Sequence, residues 1–315
     1  MKMNIKLLSE LDKNSRQPET ILARKLRTTK QVIHYQLNHL EQQGIIQEYY
    51  ALINTEMLGY TSYYIYIKLK ETLPDEEKEI ILKIQNEKYV GWLVHCTGTW
   101  DSILLIYART VKEFEQRLTV TLHHCKEHLE DFTFTIAREV QHVHYPFLLR
   151  TPDTEITKTS EQKDFKSTRV DENILRTLSS RARNSILELS RITKIPAHVI
   201  RYRIRTLEKQ GIIQGYKPKI DVQKMGYQWY LLLITMKNTT IQEKEKISAS
   251  CNQQKDVYYI TRVIGTYDLM LDVHVKNSEE LKILIEDIKR RTRGAVQTIE
   301  TQTIYKEHKI SYYPE

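Results

Sequence analysis

The chain of 315 residues is 40% hydrophobic and 28% charged, enough apolar material for packed cores in two to four domains beneath a well-solvated surface. No apolar run approaches the roughly 18–20 residues that span a bilayer, and the opening MKMNIKLLSELDKNSRQ lacks a signal peptide's apolar stretch, so no membrane partner is expected. Three cysteines without a Cys-x-x-Cys pair (Cys96, Cys125, Cys251) exclude a disulfide framework and a four-cysteine zinc site and fit a reducing cytoplasm, while a formal charge of +8 favours polyanionic partners.

From the N-terminus, residues 3–48 show helical spacing and end on Gly44 and the strand-like pair Ile45-Ile46, with Thr29 placed to cap a third helix. The period then changes. Residues 63–69 (YYIYIKL) predict a strand and 75–86 a helix; 89–97 and 102–109 flank the turn Gly98-Thr99-Trp100-Asp101 as a hairpin; 111–129 predict a helix and 132–140 a last strand. This β-α-β-β-α-β order is the ferredoxin-like arrangement. Residues 149–169 are polar, aperiodic and read as a linker.

Beyond the linker everything recurs. LEQQGIIQEY at 40–49 returns as LEKQGIIQGY at 207–216, an offset of 167. The same offset, without a gap, carries Leu22 to Leu189, Val32-Ile33 to Val199-Ile200, Gly59-Tyr60 to Gly226-Tyr227, Gly98-Thr99 to Gly265-Thr266, Asp101 to Asp268 and Tyr145 to Tyr312. This is an internal duplication. In copy 2, Ile174, Leu175 and Leu178 mark a first helix, Ile186 and Leu189 a second, and Ile200, Ile204 and Leu207 a third after Pro196; strands are expected at 231–236, 257–264, 269–275 and 297–305. The fold class is α+β: two copies of a winged helix-turn-helix followed by a βαββαβ domain. The expected boundaries are 1–50 and 51–148 for copy 1, 149–169 for the linker, and 170–217 and 218–315 for copy 2.

A helical wheel puts Ile200, Ile204 and Leu207 on one stripe and His198, Arg201, Tyr202 and Arg205 on the opposite arc. Arginines so placed suit guanine edges and phosphates in a major groove, which makes double-stranded DNA the expected partner. The same arc of copy 1 holds Gln31, His34, Tyr35 and Asn38, side chains that can read adenine but carry little charge. Segment 29–43 is net neutral whereas segment 196–210 is net +3, so copy 2 is expected to supply most of the phosphate-driven affinity.

Leu-Glu-x-x-Gly-Ile-Ile-x-x-Tyr after three helices, followed by Gly-x-[Trp/Tyr]-Asp in a βαββαβ domain, resembles the Lrp/AsnC family of feast/famine regulators, and does so twice. The resemblance implies transcription regulation through the winged modules, effector and oligomerisation domains of the RAM type, and modulation by an amino acid or similar small molecule. It adds Arg203, which matches the family's usual helix arginine and is replaced in copy 1 by Gln36. It also implies effector contacts at Gly98, Thr99 and Asp101 and at Gly265, Thr266 and Asp268. Family members are normally single-copy chains that dimerise, so the fusion implies an intramolecular pseudo-dimer and further homo-oligomers. No cofactor, metal or catalytic residue is expected. His124 and His128 have the i,i+4 spacing that can share a metal on a helix, and His142 and His144 share a strand face, but the counterparts of His124, His128 and His142 are Arg291, Ala295 and Lys309. The competing expectation comes from another class: siroheme decarboxylases, tetrapyrrole enzymes, resemble the same architecture and include two-copy fusions.

Overall fold

A computed structural model describes residues 2–142, 144–148, 157–158, 165–237, 239–252, 254–292 and 294–314. Copy 1 runs through α1 (Lys2–Lys13), α2 (Glu19–Lys25), α3 (Lys30–Gln42), β1 (Ile46–Ile53), β2 (Thr61–Leu69) and α4 (Pro74–Asn86), then β3 (Val90–Thr97), β4 (Ser102–Ala108), α5 (Val111–His124) and β5 (Leu129–His142). The described part of the inter-copy segment includes the two-residue strand β6 (Thr157–Lys158). Copy 2 repeats the series as α6 (Arg169–Leu178), α7 (Ile186–Thr193), α8 (Ala197–Lys209), β7 (Ile213–Ile220), β8 (Gln228–Met236), α9 (Ile241–Cys251), β9 (Val257–Gly265), β10 (Leu269–Val275), α10 (Ser278–Arg291) and β11 (Val296–Ile310). Two compact units result, sorted by kind of module: residues 1–58 with 144–226 hold both helical heads, and 59–143 with 227–315 hold both βαββαβ repeats.

In the first unit each third helix ends identically. Gly44 (φ +65°) and Gly211 (φ +75°) take the left-handed conformation that side chains disfavour. The amides of Gly44 and Ile45 then bond Glu41 O and Leu40 O, and those of Gly211 and Ile212 bond Glu208 O and Leu207 O, closing a Schellman stop. The strands that follow pair with each other: β1 and β7 run antiparallel as a ribbon shared by the two heads. Tyr50 faces Lys217, its own repeat counterpart, so the ribbon straddles a local two-fold axis. Contacts about that axis come in pairs. Asn54 N bonds Ile212 O (2.9 Å) and Asp221 N bonds Ile45 O (2.8 Å), while Ser15 N bonds Tyr216 O (2.8 Å) and Ala182 N bonds Tyr49 O (2.9 Å). Arg16 and Arg183 reach across to the carbonyls of Ala182 and Ser15. The heads form one body because each completes the backbone bonding of the other.

In the second unit eight strands close into a ring, β2-β4-β3-β11-β8-β10-β9-β5 and back to β2. The seams are β3–β11 and β5–β9, each joining the two copies; Thr97 opposite Thr303 at one seam mirrors Ile264 opposite Ile136 at the other. β11 runs past the expected 297–305 because its first half pairs with β8 and its second with β3. Alternation along the strands sorts the cores. Outward residues pack under the helices, Ile65, Leu93 and Leu104 with Ile81 and Ile84 in copy 1, and Leu232, Leu271 and Val273 with Leu284 and Ile288 in copy 2. Inward residues, among them Tyr66, Val94, Leu231, Leu233 and Met270, fill the ring. The helix expected over 111–129 stops at His124, since Leu129 already pairs with Leu69 as the first residue of β5.

Candidate nucleic-acid interface

The third helices present the surface that the wheel anticipates. In α8, Ile200, Ile204 and Leu207 are buried while His198, Arg201, Tyr202 and Arg205 are exposed, Tyr202 to 66%. Among the described residues neither Arg201 nor Arg205 has a carboxylate partner. Both guanidinium groups therefore keep their donors for an external acceptor.

Arg203 does not join them. Its Nε donates to Asp171 Oδ1 (2.6 Å) and its Nη2 to Oδ2 of the same carboxylate, a bidentate pair that ties α8 to α6. Asp171 is fully buried and also closes the N-terminal capping box of α6, accepting from Thr168 N (2.9 Å) and Thr168 Oγ1 (2.6 Å). Burial alone would raise the Asp171 pKa, but the Arg203 and Thr168 bonds outweigh it and hold the carboxyl below its ordinary range. Arg203 is thus corrected from a DNA contact to a strut within its own head, because its charge is matched by a carboxylate that water cannot reach. The resemblance directed attention to the position without revealing Asp171. The repeat offset could have: it sets Asp171 opposite Asn4 and Arg203 opposite Gln36, so acid and base vanish together in copy 1.

On α3 the exposed arc is as placed from the sequence, Gln31, His34, Tyr35 and Asn38 all being exposed. It is partly occupied by its own neighbours. His34 Nδ1 lies 3.0 Å from Glu19 Oε1, Asn38 Nδ2 3.2 Å from His34 Nε2, and Tyr35 stacks on His39 at 6.0 Å. Sequence reading also missed two tyrosine–carboxylate braces, Tyr49 to Glu41 (2.7 Å) and Tyr216 to Glu208 (2.6 Å), which anchor the ribbon to the third helices. Arg183 lies over Tyr49 and Arg16 over Tyr216, each supplied by the opposite head.

The hairpins of the second unit match one another. Asp101 holds Lys68 Nζ (3.0 Å) and the Leu69 amide (2.8 Å), while Asp268 holds Lys244 Nζ (2.5 Å) and the Met236 amide (2.6 Å). Both oxygens of each carboxylate are engaged in fixing the turn to its own repeat. Glycine is required by close approach: a Cβ on Gly98 would stand 2.6 Å from Thr301 O, and one on Gly265 2.9 Å from Phe134 O. Trp100 donates from Nε1 to Tyr267 Oη (2.8 Å), its own counterpart, and both rings are buried. Thr99 and Thr266 stay exposed beside them.

The histidines of copy 1 are dispersed. His128 lies beyond the end of α5, so it does not share a helix face with His124, which bonds Glu87 (2.7 Å). His144 is buried against Asp12, and the His142 side chain falls outside the described residues. Among the described residues no three His, Cys, Asp or Glu side chains converge to hold a metal ion. None of the described helices is long and apolar enough to cross a membrane.

Comparison with known proteins agrees with this geometry. A winged helix-turn-helix DNA-binding model matches residues 2–47 and 168–214, and the Lrp/AsnC ligand-binding domain model matches 230–314. An uncharacterized HTH-type transcriptional regulator of Pyrococcus horikoshii is 30% identical over 133 residues, 42% of this chain and 88% of the relative. The regulator LrpA of Pyrococcus abyssi is 30% identical over 117 residues, 37% of this chain and 82% of its own. The siroheme decarboxylase NirDL, solved with an iron-uroporphyrin III analogue, shares the fold across 98% of this chain and 93% of its own, with a TM-score of 0.64 at 15% identity. Two matched helix-turn-helix segments and one matched ligand-binding domain place the chain in the Lrp/AsnC family of DNA-binding transcriptional regulators, in a form that carries the DNA-binding module twice and repeats the βαββαβ fold.

Proposed function

We propose that the protein grips a two-part duplex site with both heads, that α8 supplies most of the affinity, and that an amino acid or similar small molecule modulates the grip. The observation that carries this reading is the exposed arc of α8, where Arg201 and Arg205 stand without a carboxylate partner while the core stripe beneath them is buried. On α3 the single imidazole of the arc is already engaged by Glu19 and by the Asn38 amide, which leaves Gln31 and the Asn38 carbonyl for adenine edges and little for phosphates. The small molecule is assigned by family likeness to the hairpins. The exposed Thr99 hydroxyl supports contact there, as does exposed Thr266, whose hydroxyl also meets Thr133 Oγ1 (2.5 Å), while Gly98 and Gly265 shape the turns and Asp101 and Asp268 secure them.

Selection of bound sites from random duplexes, repeated across salt concentrations, tests the reading. Half-sites about one helical turn apart are expected. Replacing Arg201 and Arg205 by alanine should weaken binding far more than replacing Lys30 and His34, and should shallow the salt slope by about 2. Equal losses from the two heads would overturn the assignment of affinity. The competing tetrapyrrole reading rests on the fold shared with NirDL and on the histidines of copy 1, and three of these, His95, His124 and His144, already lie beside carboxylates of their own unit. It requires a Soret band on adding tetrapyrrole and no salt-sensitive DNA binding.

A further inference from the structure

We propose that the inner wall of the strand ring, away from the hairpins, holds a binding site for the ammonium or guanidinium group of a small organic cation, built from Asp272, Glu307, Trp92, Trp229 and Tyr64. The two carboxylates come from different strands and face inward with the aromatic rings. Trp229 Nε1 donates to Asp272 Oδ1 (3.0 Å), and Trp92 Nε1 donates to Glu307 Oε1 (2.8 Å). The indoles stand 6.3 Å apart, and Tyr64 meets Trp92 edge-on at 6.2 Å. None of the five residues is fully buried.

The balance of charge asks for a cation. Among the described residues no lysine or arginine pairs with Asp272. A carboxylate accepts about four hydrogen bonds, and the Trp229 indole supplies Asp272 with one. At the hairpins Asp101 and Asp268 each hold a lysine ammonium of the chain itself, so the protein meets the same demand internally where a lysine is at hand. The fold does not require acids at this level. The repeat counterparts of Asp272, Glu307 and Trp229 are Leu105, Val140 and Ser62, so the equivalent three positions of the other repeat carry no charge. An ammonium or guanidinium lodged against Asp272, on the side facing Glu307, would gain charge-assisted bonds and the face of an indole.

Protonation supports the geometry. Burial first, and Glu307 after the opposing Trp229 bond, push the Asp272 carboxyl up to about 7. The other groups facing it are Glu307 from β11, Tyr64 from β2, Tyr259 directly opposite on β9 and His274 from its own strand; burial pushes the His274 imidazole down to about 3, so it stays neutral. Cation binding should therefore strengthen between pH 6 and 8 as Asp272 ionises.

The site deepens the regulatory reading by naming a class of effector, and its binding can be measured without DNA. The full chain carries three tryptophans, two of them in the site, so indole emission reports occupancy. Titration with putrescine or L-arginine should give a saturable change, and glutarate none. Asp272→Leu, which installs the copy 1 residue, and the gentler Asp272→Asn should each raise the midpoint at least tenfold while circular dichroism stays unchanged; Glu279→Gln on the exposed face of α10 should leave it in place. No saturable response to either amine, or equal midpoints in the wild type and a folded Asp272 variant, would overturn the site. A mobility shift on the same samples separates the two readings. DNA binding without an amine response removes the site alone, whereas an amine response without DNA binding supports the site and removes the regulator.

Discussion

Position 203 changes trade between the copies. In copy 2 an arginine reaches back thirty-two residues to a buried carboxylate, and in copy 1 Gln36 and Asn4 occupy the same places, with Gln36 Oε1 buried and lacking a partner among the described residues. Truncation of Arg203 to alanine should cost about 2–3 kcal/mol, the range for losing charge-assisted bonds to a group that water cannot reach. The double change Asp171→Asn with Arg203→Gln, which writes the copy 1 pair into copy 2, should cost less than either single change in urea unfolding. The sign with pH follows from the lowered Asp171 value: its stabilisation is complete above the ordinary 3.8 and is lost as pH falls through the folded value. An acid titration that leaves wild type and double variant parallel would contradict the strut. The exposed arc around Arg201 was legible from 3.6-residue periodicity alone, because a helix face is a local property. The Arg203 strut was not, since its partner lies on another helix and only the comparison of copies points to it.

At the level of elements, helix ends, glycine stops and the βαββαβ order could all be read from the chain, each being set by neighbours a few residues away. The ribbon could not. Ile45-Ile46 announces a strand, but whether it pairs within its head or with the other head depends on the second copy. One asymmetric feature sits on that ribbon. Lys217 Nζ lies 2.9 Å from Asp12 Oδ1 and 3.0 Å from His144 Nδ1, and His144 Nδ1 is 2.9 Å from Asp12 Oδ2, with all three side chains buried. Burial is the largest influence on Asp12 and would raise its pKa; Lys217 and His144 together reverse it and keep the carboxylate ionised. The triad links α1 of the first head to β7 of the second. Lys217→Met should therefore destabilise by about 3–5 kcal/mol, because it strands a buried charge, and adding Asp12→Asn should recover part of that loss. A change below 1 kcal/mol in urea unfolding would show the triad to be incidental.

For the whole molecule, the seams of the ring mean that each copy supplies the edge strands its counterpart needs. A chain cut to residues 1–148 would expose β3 and β5 along their unpaired sides, which is an invitation to self-association. Such a fragment should sediment as a symmetric dimer at micromolar concentration, and a well-behaved monomer would contradict the closure. Fusion has a further effect through the local two-fold axis at Tyr50 and Lys217. A true homodimer must present the same recognition surface twice and so is confined to palindromes. Here the axis relates backbones whose side chains have diverged, arginines on one recognition helix and carboxamides with an imidazole on the other. On the two-headed grip proposed above, one molecule would spell two different words on either side of its dyad, a guanine-rich arm and an adenine-rich arm, and so suit lopsided operators.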